Sequence, residues 1–271
     1  MTSVEVAQIA EHDGNYGTYA QNTNSKLGDD NDDSRCYKCS EWHWFRWLIW
    51  GFLLLTSLFL CALSAKYYSF QDSVLGWNHY HKEKFWVYLH INFCFWPMLL
   101  GIWQLNGPLR RKYINLHRWF GRIYVICCYI GTIGGLYMAQ NAHGGFVTTL
   151  SFTMIGVLWI LTTSIAVYFI KFSKRDKEFR IKNHRIWMIR SFALMIGVAM
   201  FRYWLPLFQT FGYGANFKGE DVNDYESQEE FDKEFEGYLQ AYGAASWFCW
   251  VFNLCVAESY MFIQSNYISN K

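Results

Sequence analysis

Residues 146–170 read FVTTLSFTMIGVLWILTTSIAVYFI, twenty-five residues without a charge. At about 1.5 Å of rise per residue, a helix of this length reaches roughly 37 Å, more than the ~30 Å of a bilayer's hydrocarbon layer. A helix buried in a soluble core is usually shorter and keeps a polar face. The stretch is therefore read as a transmembrane helix. Similar apolar runs lie at roughly 47–65, 85–105, 119–140, 186–209 and 240–263. The expected fold is all-α, an integral membrane bundle of six transmembrane helices over residues 41–265. A disordered polar tail (1–40) precedes it and a short tail (266–271) follows. Pro97 interrupts the second run and predicts a kink there.

Composition agrees. Among 271 residues there are 14 Trp, 19 Tyr and 23 Phe, and such rings suit the headgroup level, where an apolar body and a polar tip both find partners. Mean hydropathy is only -0.02, because the Asn/Asp-rich tail and an acidic loop dilute the apolar runs. The tail lacks the basic start and apolar core of a signal peptide. The net charge of +2 gives no reason to expect nucleic acid, and no Gly-rich fingerprint predicts a nucleotide site. Most of the eight cysteines sit inside apolar runs, where Cys behaves as a small hydrophobe and not as part of a disulfide framework. Cys36 and Cys39 form a lone CxxC in the tail, read as reduced thiols with zinc as the alternative.

Loop charge orients the bundle. The loop after run two holds Arg110, Arg111, Lys112 and Arg118 and no acid. The loop after run four holds seven basic residues from Lys171 to Arg185, against Asp176 and Glu178. Residues 139–149 carry no charge, and residues 207–239 carry nine acids and two Lys. Basic and non-basic loops alternate, so both termini are expected in the cytosol. Phe231, Phe235 and Tyr238 in the acidic stretch have helical spacing, but a solvated outer loop over 207–239 is the reading adopted. No N-x-[ST] acceptor and no C-terminal lipidation or retention signal is present.

Ionisable groups at membrane depth are functional suspects. Four histidines qualify. His90 and His143 fall near the outer surface, and His117 and His184 open runs three and five at the inner surface. Imidazoles facing each other across a helix bundle are good axial ligands for haem iron. Two stacked haems would carry an electron across the membrane. Arg118 and Arg185 follow the inner histidines directly and Arg190 lies deeper; propionates would need such cations. Stepping around run three from His117 gives Gly121, Cys128, Gly131 and Gly135, a small-residue stripe with room for a flat macrocycle. The same stripe also suits close helix packing. From His90 the stripe holds Cys94, Pro97, Gly101 and Gln104, and from His184 it ends at Arg202. His79 and His81 are read as solvated. Glu258 in run six, with Asn253 a turn away, is expected inside the bundle, paired with an arginine such as Arg190 or relaying protons.

The order of these residues resembles a known family. His90, the string GIWQ at 101–104, HRWFGRIY at 117–124, LTT at 161–163, HRIWMIRS at 184–191, then Asn253 and Glu258 resemble the predicted membrane proteins of the domain-of-unknown-function family 2306, over roughly residues 85–262. More distantly, helix count and histidine placement are similar to dihaem cytochromes b and ferric-reductase membrane domains. That resemblance implies b-type haem on His117 with His184 and on His90 with His143, and electron transfer from a small reductant or redox partner protein. In the dihaem cytochromes four helices each give one ligand, whereas here run four gives none. Run one and the long fifth loop suggest a eukaryotic plasma membrane or endomembrane. The alternative is a non-redox multi-pass protein, a transporter or accessory subunit, whose histidines form a structural polar network.

Overall fold

The computed structural model describes residues 47–48, 50–59, 62, 84–212, 216–217 and 226–269. The polar tail, Cys36, Cys39, His79 and His81 lie outside the described residues, as does most of 60–83. Among the described residues every regular element is helical: α1 (Trp50–Phe59), α2 (Lys84–Leu105), the short α3 (Gly107–Lys112), α4 (Ile114–Ala139), α5 (Gly145–Lys171), α6 (Lys177–Thr210) and α7 (Gln228–Ser269). Five of them, α2, α4, α5, α6 and α7, are long and apolar enough to cross a membrane. Of run one the described residues include the ten of α1, a shorter apolar helix.

Successive long helices run antiparallel. Trp86 stacks on Tyr137 and Gln104 bonds His117, which fixes α2 against α4. Tyr129 meets Ser164 across α4 and α5, and Phe152 meets Phe201 across α5 and α6. Asn253 reaches Ala193 across α7 and α6. The basic connections 106–113 and 172–176 therefore share one end of the bundle, here the basic end. Helix boundaries follow local chemistry. Asp176 caps α6 by accepting from the Phe179 N–H at 2.9 Å, and Glu178 adds a negative charge at the positive end of the helix dipole. At the other end Gly144 turns the chain into α5 with φ of +89°, which costs little only without a Cβ.

Pro97 lies inside α2, with helix on both sides of it. One expectation changes. The acidic loop 207–239 shrinks, because α6 runs to Thr210 and α7 begins at Gln228. Phe231 and Phe235 stack on one face of α7, and Phe217 stacks on Tyr238 at 4.6 Å. That aromatic face gives the acidic stretch a partner, so helix wins over loop.

The small-residue stripe of α4 is where α2 comes closest. A Cβ on Gly134 would sit 3.0 Å from the His90 backbone nitrogen and 3.1 Å from the Trp86 carbonyl. One on Gly131 would sit 3.2 Å from the Phe93 carbonyl carbon. Without a hydrophobic drive between helices in lipid, such backbone approach supplies the packing energy. The stripe is filled by a neighbouring helix and is not an open slot.

At the centre a buried polar chain ties three helices. The Tyr124 hydroxyl meets Ser191 Oγ at 2.9 Å and accepts from Trp159 Nε1 at 3.2 Å. Thr163 Oγ1 joins Ser191 Oγ at 2.7 Å and Cys128 Sγ at 3.4 Å. Tyr124 is 1% exposed, so its partners are protein. Phe192 covers Gly101 beside it.

Three outcomes follow, each read as unfolding stability in detergent. Gly134→Ala should cost about 1–3 kcal/mol by forcing α2 off α4. Gly121→Ala, whose Cβ meets nothing within 4 Å, should gain about 0.5–1 kcal/mol of helix propensity. Tyr124→Phe strands the Trp159 N–H and takes one of the two partners of Ser191, leaving it Thr163, and should cost about 1–2 kcal/mol; an unchanged midpoint would remove the network from any structural role.

Candidate functional site at the basic end

His184 sits in the second turn of α6, and its Nδ1 lies 2.9 Å from the Ala166 carbonyl on α5. A carbonyl only accepts, so Nδ1 carries the proton and Nε2 is left as the ring's acceptor. His90 does the same on α2, with Nδ1 donating to the Gly131 carbonyl of α4 at 2.8 Å. Its ring lies flat in the groove, where a Cβ on Gly135 would be 2.8 Å from it. Cys94 Sγ stands 3.9 Å from the His90 Nε2. Both histidines are thus cross-helix struts.

His117, in the first turn of α4, differs. Its Nδ1 is buried without a hydrogen-bond partner. Its titratable neighbours are Arg110, His184 and Arg118. Gln104 donates to the His117 carbonyl at 3.1 Å and pins the end of α2 to the start of α4. Beside His117 opens a groove of about 130 Å³ lined by Trp103, Gln104, Arg110, Tyr113 and Phe120. Arg110, on α3, was not singled out by sequence, because it is one of four cations in a row of loop charge. Its neighbours Arg185 and Arg111 are cations too; burial first, then their repulsion, holds its guanidinium below the ordinary value.

The other candidates scatter. His143 packs edge-on against Tyr242 of α7, centroids 5.9 Å apart, whereas His90 packs on α4. Arg185 is exposed and donates to Gln264 at 3.1 Å. Arg118 is exposed on α4. Arg190 donates to Glu258 from Nε at 2.5 Å and from Nη2 at 3.0 Å, and stacks on Trp187. Glu258 is 49% exposed and Arg190 27%, so this bidentate pair lies at the edge of the α6–α7 seam and not inside the bundle. Arg202 is exposed as well. Outward-facing charge is tolerated there because Glu258 has its partner beside it and Arg202 lies near the far end of α6. Asn253 bonds the Ala193 carbonyl at 3.4 Å.

The donor chemistry of His117 and His184 suits haem iron; the space does not. The stripe expected to house a macrocycle is occupied by α2, Tyr124, Trp159 and Phe192 fill the centre, and the groove beside His117 is far below the roughly 300–1,000 Å³ of enclosing ligand pockets. Among the described residues no three His, Cys, Asp or Glu converge as a metal site. In the sequence Tyr124 and Thr163 stand out only as parts of strings, and Ser191 only as one of the residues on the stripe from His184. Their signal was polar groups recurring in apolar runs, muted because Ser and Thr can satisfy themselves on their own helix, as Thr162 does on Leu158.

No match is found among curated proteins or among solved structures. A family model does match, and with five helices of spanning length it makes this a multi-pass membrane protein in contact with the bilayer. Residues 87–221, from the first turn of α2 to beyond the end of α6, match the family described as predicted membrane protein (DUF2306), and this segment holds His90, His117, His143 and His184.

Proposed function

We propose that the chain is a non-redox multi-pass membrane protein acting as an accessory subunit, with its histidines serving as structural links and its basic end as the functional face. One observation carries this reading. The two deepest imidazoles, His90 and His184, each spend their N–H on a carbonyl of the neighbouring helix, while the glycine stripe is taken up by helix packing. A transporter would need unwound helix centres near the midplane; α2, α4, α5 and α6 run unbroken through it. The loop charges support a cytosolic basic end.

A second reading keeps one b-type haem, on His117 and His184. The free acceptor nitrogen of His184 favours it, since a ligand imidazole has its other nitrogen held by a carbonyl in the same way. Arg110, Arg118 and Arg185 would face the propionates. The haem would supply a one-electron couple, and a small reductant or redox partner protein would have to feed it. Helices α4 and α6 would have to part to admit it.

The purified protein, expressed with ample haem, should give no b-type band in a reduced-minus-oxidised spectrum. His184→Ala should cost about 0.5–2 kcal/mol of stability through the lost link to α5. A spectrum showing one haem per chain, lost in both His117→Ala and His184→Ala, would replace the first reading with the second.

A further inference from the structure

The α6–α7 seam carries charge on the outside of the bundle, where lipid would cover it. Arg190 and Glu258 bond each other across the two helices, and both side chains are partly open. Neither stands at a helix end. Glu258 falls five residues short of the end of the apolar run at 240–263, and Arg190 is the fifth residue of the run at 186–209. At about 1.5 Å of rise per residue, the pair sits roughly 7 Å inside the hydrocarbon layer. Pairing removes the net charge but not every polar need. Glu258 accepts one N–H from Nε and one from Nη2 of Arg190, and Trp187 offers only its ring face. The guanidinium has further N–H donors, and among the described residues no other acceptor meets them. Lipid tails supply none.

The adjoining surface of α7 suits another helix. Val251, Cys255, Ser259 and Phe262 share one stripe at helical spacing, all of them exposed, with Glu258 at its border. Cys255 and Ser259 are small, so a second helix backbone can come close at the depth of the charges. Symmetry says which helix. Arg190 and Glu258 are bonded to each other, so they lie at one depth. In a second copy inserted the same way they lie at that depth too. A two-fold axis along the membrane normal then brings Arg190 of each copy toward Glu258 of the other, with both signs matched on both sides. An unrelated span would have to bring an acid and a base to the right height; a second copy already has them.

We propose that this face of α7, with Arg190 beside it, is the contact between two copies of the chain. The two α7 helices pack at Cys255 and Ser259, and the two Arg190–Glu258 pairs join into one network. Each carboxylate accepts from the guanidinium donors left over in the other copy. The contact goes beyond the accessory-subunit reading and does not depend on whether haem is bound, since it uses none of the histidines.

The test takes the full chain carrying Cys36→Ala, Cys39→Ala and Cys61→Ala, reconstituted in phosphatidylcholine liposomes at high dilution in lipid. A disulfide forms only where two Cα atoms come within about 7 Å. Oxidation with copper phenanthroline should therefore join most chains as a dimer through Cys255, and Cys255→Ser should abolish the band. Added to Cys255→Ser, Ser259→Cys should restore it, whereas Val157→Cys, exposed on α5, should not. Association is also measured without cross-linking, by energy transfer between donor-labelled and acceptor-labelled chains. Ser259→Leu, on the exposed stripe, should weaken association at least about tenfold and leave the unfolding midpoint of the monomer unchanged. Arg190→Gln should weaken it by a similar factor. Monomers at every dilution, equal cross-linking through Val157→Cys, or a dimer indifferent to Ser259→Leu would overturn the proposal. So would a dimer indifferent to Arg190→Gln, which would leave the spare donors to lipid phosphates.

Discussion

The hydrogen-bonded chain from Trp159 through Tyr124, Ser191 and Thr163 to Cys128 is the constraint around which the bundle is arranged. Lipid offers a buried hydroxyl nothing, so every donor sent into the core must meet an acceptor on another helix or on its own backbone. Tyr124 reaches across from α4, and its hydroxyl takes a bond from α5 and shares one with α6. That sets the rotation of all three helices at once. With α4 so rotated, Gly131, Gly134 and Gly135 turn toward α2, and Cys128 turns toward α5. The glycine groove and the polar chain are two faces of one helix orientation.

The same rotation decides what the histidines can do. His90 comes to lie on Gly135 because α2 must approach that groove, and its proton goes to the Gly131 carbonyl, the nearest acceptor. His184 is placed by the antiparallel register of α5 and α6, which brings Ala166 beside it. His117, one turn into α4 and at the end of the groove, keeps a buried nitrogen unused. An imidazole in a membrane helix is thus not automatically a ligand. In this chain two of them do the work that serine and threonine do elsewhere in the core.

The sequence was informative where a single helix sufficed to interpret it. Run length and the alternation of loop charge bounded α2, α4, α5, α6 and α7 and put His117 and His184 at one end. What it could not supply was azimuth. A stripe of Gly131 and Gly135 reads the same whether a macrocycle or a neighbouring helix fills it, and only the Trp86–His90 backbone lying against it separates the two. His143 shows the same limit: its height was legible, but its neighbour Tyr242 comes from α7, a hundred residues on. The acidic stretch misled for a related reason. Its nine acids argue for solvent, and the ring of Phe217 that gives Phe231, Phe235 and Tyr238 a surface to pack on lies well before them in sequence.

Arg110 was hidden by abundance. In a run of four basic residues, none looks special, and the positive-inside rule explains them all equally well. Burial breaks that equivalence. Arg111 and Lys112 are exposed, while α3 turns Arg110 inward toward His117 and Arg185. An exposed cation near headgroups contributes only to topology, whereas Arg110 is half-buried and loses solvation beside the charges of Arg185 and Arg111. The basic end therefore has two kinds of charge, one left facing outward and one that the fold partly withdraws.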